Sequence, residues 1–276
     1  MVKLATWNVN SLRARLDYVC DWLELNRPDV LLMQETKLRS DDFPKLRFQE
    51  LGYHSYHHGM SQWNGVAILS RDRLEEPKVC VDSLEFDGEL QTRAVSAITF
   101  GLRVLSVYVP NGRTLDDPHY RYKLAWLREL QGELGIFAAQ GTPLVVGGDF
   151  NIAPSDRDLW SPSALEGMTH VSEAEREALS EILSVGLVDS YRRCEPERDG
   201  FSWWDYRGGA FHRNSGMRID LVLLSESLAP SLRSARVDRD ARKVDASGRK
   251  PSDHAPVVVE FTAPNEEGSL QGPLGV

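Results

Sequence analysis

Eight short apolar runs punctuate this chain and limit what it can fold into more than any other feature. Residues 4–9, 30–34, 65–70, 94–100, 104–109, 144–148, 219–224 and 256–261 are rich in Val, Ile and Leu and bounded by polar, Gly or Pro residues. Such runs read as strands. Helical patterns alternate with them. Leu12, Leu16, Val19, Cys20 and Leu23 mark one apolar face closed by Pro28, and Tyr120, Leu124, Leu127 and Leu134 mark a second. A third helix opens at Ser172, with Glu175 in capping-box register, and stops near Gly186. Many strands joined by short links, with few helices, predict two sheets packed face to face with helices outside.

At 276 residues the chain can bury a sizeable core. The middle holds no low-complexity linker, so residues 1–262 are expected to form one domain and residues 263–276 a flexible tail. Pseudo-symmetric halves stay open. No apolar run reaches membrane-spanning length, and the N-terminus reads as a strand. Cys20, Cys80 and Cys194 show no Cys-x-x-Cys spacing, which disfavours zinc and points to a reducing cytoplasm. A net charge of −9 argues against wholesale polyanion binding but leaves room for a local basic face.

The chemistry gathers at strand ends. Thr6-Trp-Asn-Val-Asn10 places Asn8 and Asn10 on one side of a strand, although a plain turn accounts for them equally well. Leu32-Met-Gln-Glu-Thr-Lys37 sets Glu35 directly after a buried strand, suited to a hard cation; alone, it would pair with Lys37. Val107-Tyr-Val-Pro-Asn-Gly-Arg113 offers Tyr108 and Asn111 as hydrogen-bond donors to a phosphate oxygen. In Pro143-Leu-Val-Val-Gly-Gly-Asp-Phe-Asn151 two glycines permit a close approach, and Asp149 and Asn151 project together to position a water and the anion it attacks.

Met217-Arg-Ile-Asp-Leu-Val-Leu-Leu224 puts Asp220 inside an apolar strand, where an ionised carboxylate needs a partner. His254, in Lys250-Pro-Ser-Asp-His-Ala-Pro256, is favoured over Arg218 for that part, because an Asp on one ring nitrogen fixes the tautomer and raises proton affinity. Asp253 stands beside it. Carboxylates, amides, a Tyr and a His at strand ends fit metal-assisted attack of water on a phosphoester. Acyl transfer fits poorly, as no Gly-x-Ser-x-Gly elbow is present. Tyr53-His-Ser-Tyr-His-His58 reads as a surface strand rather than a rival metal site.

Ala5-Thr-Trp-Asn-Val-Asn, Gln34-Glu-Thr-Lys, Asn64-Gly-Val-Ala-Ile-Leu-Ser, Tyr108-Val-Pro-Asn-Gly, Gly148-Asp-Phe-Asn, Arg218-Ile-Asp and Ser252-Asp-His-Ala-Pro occur in that order. Together they resemble the exonuclease III family of abasic-site endonucleases, bacterial branch, in the endonuclease/exonuclease/phosphatase (DNase I-like) superfamily. The resemblance covers nearly everything before the tail. It implies a four-layered α/β sandwich, two packed mixed β-sheets flanked by helices, with the site at one end of both sheets. It also implies Mg²⁺ or Mn²⁺, hydrolysis of duplex DNA 5′ of an abasic nucleotide to leave a 3′-hydroxyl, and 3′→5′ exonuclease and 3′-phosphatase activity on 3′-blocked ends. A cytoplasmic monomer is expected.

Carried over residue by residue, the resemblance makes Glu35 the leading metal ligand, with Asn8 and Asp253 close to the same ion. Asp149 would orient or deprotonate the water, with Asn151 holding that water or the phosphate, and Tyr108 and Asn111 would bind phosphate. The Asp220–His254 pair would polarise the phosphoryl oxygen or transfer a proton. A second metal would instead take Asp149, Asn151 and His254. Phe201-Ser-Trp-Trp-Asp-Tyr-Arg-Gly-Gly resembles the family loop that lines the pocket for an extruded abasic sugar. Trp203, Met217 and Ile219 would form its apolar hollow, with one of Trp203 and Trp204 in the core. Arg13, Arg15, Arg113, Arg213 and Arg218 are candidate phosphate contacts, so duplex affinity should fall with salt. A cousin hydrolysing a small or lipid phosphoester, or a nucleic-acid-binding regulator without catalysis, are the competing functions.

Overall fold

The computed structural model describes residues 1–60, 62–245 and 247–263. Its strands are β1 (Val2–Asn8), β2 (Val30–Gln34), β3 (His54–His58), β4 (Val66–Ser70), β5 (Glu75–Cys80), β6 (Glu85–Phe86), β7 (Glu89–Leu90), β8 (Ala94–Thr99), β9 (Leu102–Tyr108), β10 (Leu144–Asp149), β11 (Leu187–Asp189), β12 (Asp220–Ser225), β13 (Leu232–Val237) and β14 (Val257–Phe261). The α-helices are α1 (Leu12–Asn26), α2 (Lys45–Glu50), α3 (Pro118–Ala139), α4 (Pro162–Leu165), α5 (Glu173–Leu183) and α6 (Ser190–Cys194).

All eight apolar runs became strands, because each buries both faces and so carries no polar alternation. The strands that the apolar pattern did not mark, such as β5 and β13, lie at sheet edges, where solvent takes one face and the Val/Ile/Leu signal is diluted. The 53–58 segment is an edge strand as expected, and its His57 ring stacks on Phe43 and bonds Thr36 Oγ1. The capping box at Ser172 and Glu175 starts α5. The segment from 264 onward, expected as a tail, lies outside the described residues.

Two six-stranded mixed sheets, ordered β13-β14-β1-β2-β4-β3 and β5-β8-β9-β10-β12-β11, share one pairing pattern. In each, the third and fourth strands are parallel and every other neighbour is antiparallel. A parallel pair needs a long crossover, which α1 supplies between β1 and β2 and α3 between β9 and β10. The pseudo-symmetry left open by the sequence is therefore real at the level of topology.

Alternate residues sort the layers. Leu4, Val30, Leu32 and Ile68 face Val104, Val145, Val222 and Leu224 between the sheets. Ala5, Trp7, Leu31 and Met33 face Val19 and Leu23 of α1, whereas Leu105, Val107 and Val146 face Trp126 and Leu130 of α3. The layers run helix, sheet, sheet, helix.

Gly147 permits a close approach between the sheets. A Cβ there would stand 2.7 Å from Leu32 Cδ1 and 3.3 Å from Thr6 Cβ, so this glycine sets the spacing beneath the strand ends. Gly147→Val should lower stability by about 1–3 kcal/mol through overpacking, read as a drop in the midpoint of urea or thermal unfolding. An unchanged midpoint would mean the sheets yield freely here.

Candidate active site

Both sheets end at the same place. The carboxyl ends of the parallel strands carry Asn8 (β1), Tyr108 (β9) and Asp149 (β10), and Glu35 follows β2 directly. Antiparallel neighbours begin where these end: Asp220 opens β12 opposite Asp149, and His254 lies just before β14, the antiparallel partner of β1. Carboxyl ends of parallel strands are where α/β sheets place ligands.

Glu35 (φ 49°) and Asn151 (φ 51°) leave their strands in the left-handed conformation, which costs a Glu more than an Asn. Asn8, fully buried, donates its Nδ2 to Glu35 Oε1 at 2.8 Å and to Asp149 Oδ2 at 2.9 Å. Its Oδ1 accepts the Asn10 N–H at 2.9 Å. Asn8, expected close to the ion, thus ties the two carboxylates together as a donor. Lys37 Nζ lies 3.0 Å from Glu35 Oε2, so the ion pair anticipated as the bland alternative exists alongside the cluster.

One oxygen each of Glu35 and Asp149 and a ring nitrogen of His254 lie within 4.8 Å of one another. Two carboxylates and an imidazole at that spacing fit a divalent cation. Asp253, expected beside the same ion, is not in this trio. Its Oδ1 accepts from Asn10 Nδ2 at 2.9 Å and its Oδ2 from Trp203 Nε1 at 3.1 Å. Burial would raise its carboxyl, but the His254 charge and these two donors hold it below the usual range.

His254 Nδ1 faces Asp220 at 2.9 Å, and His254 Nε2 lies 3.8 Å from Asp149 Oδ2. The choice of His254 over Arg218 as the partner of Asp220 is what the structure shows. Burial works against the imidazolium, yet Asp220 and then Asp149 outweigh it and raise His254 to about 10. Burial pushes Asp149 up to about 7, with Asp220 and Glu35 adding and the His254 charge and the Asn8 amide opposing. At neutral pH His254 is therefore a proton-bearing donor, and Asp149 is poised to take a proton. Ser202, which lies in the 201–209 loop but was not singled out there, donates to Asp220 Oδ2 at 2.6 Å and fixes that carboxylate.

On the other side, Asn151 Nδ2 donates to the Val109 carbonyl and Asn111 Nδ2 to Asn151 Oδ1 at 3.2 Å. Burial and then Glu35 push the Tyr108 phenol well above its ordinary value, so it stays a donor. Tyr108, Asn111 and Arg113 line a cavity of about 910 Å³ together with Arg93 and His119.

Trp204 is the core tryptophan and Trp203 the half-exposed one, as adjacent strand positions require. Trp203 packs on a buried cluster containing Met217 and Ile219 and forms bridges to Met217 and His254. Arg218 is a correction. It is buried, with Nε 2.6 Å from Asp158 and Nη1 2.8 Å from Asp189, so it holds the fold and is closed to phosphate. Arg13, Arg113 and Arg213 are exposed, and Arg15 is half-buried against the Asn10 carbonyl and Tyr206. Sequence reasoning also missed His170, whose Nδ1 bonds the Asn151 carbonyl at 2.6 Å and whose Nε2 lies 3.5 Å from Asn111 Nδ2.

Acids, amides and an imidazole converging from the ends of two packed sheets define a metal-assisted phosphoester hydrolase. The chain belongs to the Endonuclease/Exonuclease/phosphatase family, whose pattern matches residues 5–254, a family of divalent-metal-dependent hydrolases. It is 34% identical to exodeoxyribonuclease III of Haemophilus influenzae over 94% of this chain and 100% of that protein. It is 32% identical to the exodeoxyribonuclease of Bacillus subtilis, over 93% and 98%. A Neisseria 3′ phosphatase bound to a product DNA hairpin superposes with TM-score 0.90 at 39% identity, covering 95% of this chain and 100% of that one. An AP endonuclease from Archaeoglobus fulgidus does so with TM-score 0.88 at 38% identity, covering 95% and 99%.

Protons and cation compete for Asp149. Because its carboxyl titrates near 7, Mn²⁺ affinity measured by EPR should be about tenfold tighter at pH 8 than at pH 6, and a flat profile would remove Asp149 from the ligand set. Asp220→Asn keeps the shape but removes the charge that protonates His254, so turnover should fall about 10⁴-fold. Loss of cooperative unfolding with turnover per folded molecule intact would make Asp220 a structural residue.

Proposed function

We propose that this chain is a DNA-repair phosphodiesterase that hydrolyses the backbone of duplex DNA 5′ of abasic sites, leaving a 3′-hydroxyl, and clears nucleotides or phosphate from 3′ ends. One observation carries the proposal: Glu35, Asp149 and His254 bring ligand atoms within 4.8 Å of one another beside the Tyr108, Asn111 and Asn151 donors. The names of its relatives, which include exodeoxyribonucleases, a 3′ phosphatase and an AP endonuclease, support DNA as the substrate.

Mg²⁺ or Mn²⁺ is the cation we assign, held chiefly by Glu35 and Asp149, since hard ions prefer carboxylate oxygen. Such an ion would supply Lewis-acid polarisation of a phosphoryl oxygen and a more acidic bound water. Asp149 accepts the proton of the attacking water, and Asn151 orients that water or the phosphate. Tyr108 and Asn111 donate to the phosphate, and Arg113 approaches it from the cavity rim. His254, kept protonated by Asp220, donates to a phosphoryl oxygen. A second ion held by Asp149, Asn151 and His254 is the alternative arrangement, in which His254 would bind as the neutral imidazole.

Trp203, backed by the buried Met217 and Ile219, offers an apolar face beside Asp253 and His254, suited to a baseless sugar. The absent base lowers the cost of extrusion and so supplies selectivity. We take residues 1–262 as a single domain acting as a monomer. Three cysteines without a disulfide suit a cytoplasmic enzyme, and among the described residues no helix is long and apolar enough to cross a membrane.

The proposal predicts that a duplex with one abasic analogue is nicked on its 5′ side with Mg²⁺ and left whole with chelator, as read on a denaturing gel beside an undamaged blunt duplex. An uncut abasic duplex would end it. Glu35→Ala should remove at least about 10³-fold of that turnover while the unfolding transition persists, and near-normal turnover would take Glu35 out of the metal site.

A further inference from the structure

Behind the Asn111 and Asn151 loops lies a charged pair that no step above uses. Lys123 of α3 and Glu175 of α5 are both fully buried and joined by a direct ion pair. A buried pair of this kind is weak evidence for stability, since desolvation offsets most of the attraction. Its hydrogen bonds show where it acts instead. Lys123 Nζ donates to the Asn151 carbonyl at 2.7 Å and reaches the Asn111 carbonyl at 3.5 Å.

Glu175 Oε1 accepts from Thr169 Oγ1 at 2.8 Å and from the His170 N–H at 3.0 Å, and Thr169 Oγ1 lies 3.0 Å from the Asn111 carbonyl. His170 Nδ1 in turn grips the Asn151 carbonyl. The other oxygen of Glu175 is fixed by Ser172 in the capping box of α5. Gly112 (φ +88°) lets the Asn111 loop settle onto this cluster, since a Cβ there would lie 2.7 Å from Thr169 Oγ1 and 3.2 Å from Lys123 Cδ. Burial would raise the Glu175 carboxyl, but Lys123 and the Ser172 and His170 donors hold it below the usual range, while burial lowers Lys123 in spite of Glu175.

We propose that Lys123 and Glu175, with Thr169 and His170, form a positioning device that clamps the main-chain carbonyls of Asn111 and Asn151 and so aims both side-chain amides at the reacting phosphate. The proposal deepens the phosphodiesterase reading and rests on it. The clamp grips main chain, while the side-chain amides are placed by their own bonds, Asn151 Nδ2 to the Val109 carbonyl and Asn111 Nδ2 to Asn151 Oδ1. It also joins α3 and α5, whose packing is otherwise remote from the chemistry, to the rim of the site.

The test is the double variant Lys123→Met/Glu175→Gln, which removes the pair without stranding a buried charge and keeps a side-chain acceptor for the capping box. With an abasic-analogue duplex and Mg²⁺, kcat per folded molecule should fall about 10²-fold, the loss expected from a misplacement near 1 Å. Affinity for the same duplex in chelator, by fluorescence anisotropy, should stay within about twofold, because backbone contacts elsewhere are untouched. The ¹⁵N side-chain amide signals of Asn111 and Asn151 should shift in the metal-free variant.

A kcat within about twofold of the parental value, with unmoved amide signals, would overturn the proposal. Should the double variant not fold, Thr169→Val removes the one hydroxyl that bonds Glu175 Oε1 and reaches the Asn111 carbonyl, and leaves the ion pair in place. There a kcat lower by about fivefold sustains the clamp, and an unchanged kcat overturns it. If the parental protein leaves the duplex uncut, the failure belongs to the proposed function. The amide signals then decide alone, shifted ones for the clamp and unmoved ones against it.

Discussion

Two carboxylates from opposite sheets share the amide nitrogen of one buried asparagine, and the rest of the site is arranged around that contact. Like charges within 4.8 Å repel by roughly 3 kcal/mol at an effective dielectric near 20, a cost no fold tolerates without compensation. Asn8 offsets part of it with two donated hydrogen bonds, each to a charged oxygen and so worth about 1.5–3 kcal/mol. Lys37 and protonated His254 supply positive charge from either flank. What remains is an electronegative centre that a divalent cation relieves, which is why the donor set and the local electrostatics lead to the same chemistry.

That contact is possible because of topology. Each sheet brings one parallel pair to the common edge, and antiparallel neighbours bring Asp220 and His254 to it from the opposite chain direction. Residues 247 positions apart, Trp7 and the His254 carbonyl, are in hydrogen-bond contact as a result. The inter-sheet spacing is set close to the site itself, at Gly147 against Leu32 and Thr6. Stability and chemistry are thus coupled at the strand ends, where both depend on how closely the layers approach.

Much of this was legible in the residues. Strands buried on both faces announce themselves as continuous Val/Ile/Leu runs, so β1, β2, β4, β8, β9, β10, β12 and β14 were visible, and with them the ends that carry Glu35, Asp149 and His254. Edge strands β5 and β13 were not, because half their side chains meet solvent. Asp220 was paired correctly because a carboxylate in an apolar strand demands a partner. Arg218 misled for the complementary reason: an arginine beside a site reads as a phosphate contact until Asp158 and Asp189 are seen to bury it. Hydrogen-bond direction was also out of reach. Asn8 was expected close to the ion, and that its Nδ2 also donates to both acids could not be read from the sequence. His170 and Lys123 left no signal, and Ser202 none beyond its place in the 201–209 loop, since each acts by touching something distant in sequence.

The place of β14 has a consequence for the order in which this molecule becomes competent. Near the end of the sequence, it slots between β13 and β1 rather than adding at an edge, and His254 arrives just ahead of it. A chain emerging from the ribosome holds Asn8, Glu35 and Asp149 long before that last insertion, yet lacks the imidazole and leaves its first strand unpaired on one side. Copies cut short before β14 lack His254 and leave β1 without one of its two neighbours, so the strand that completes the first sheet also completes the site.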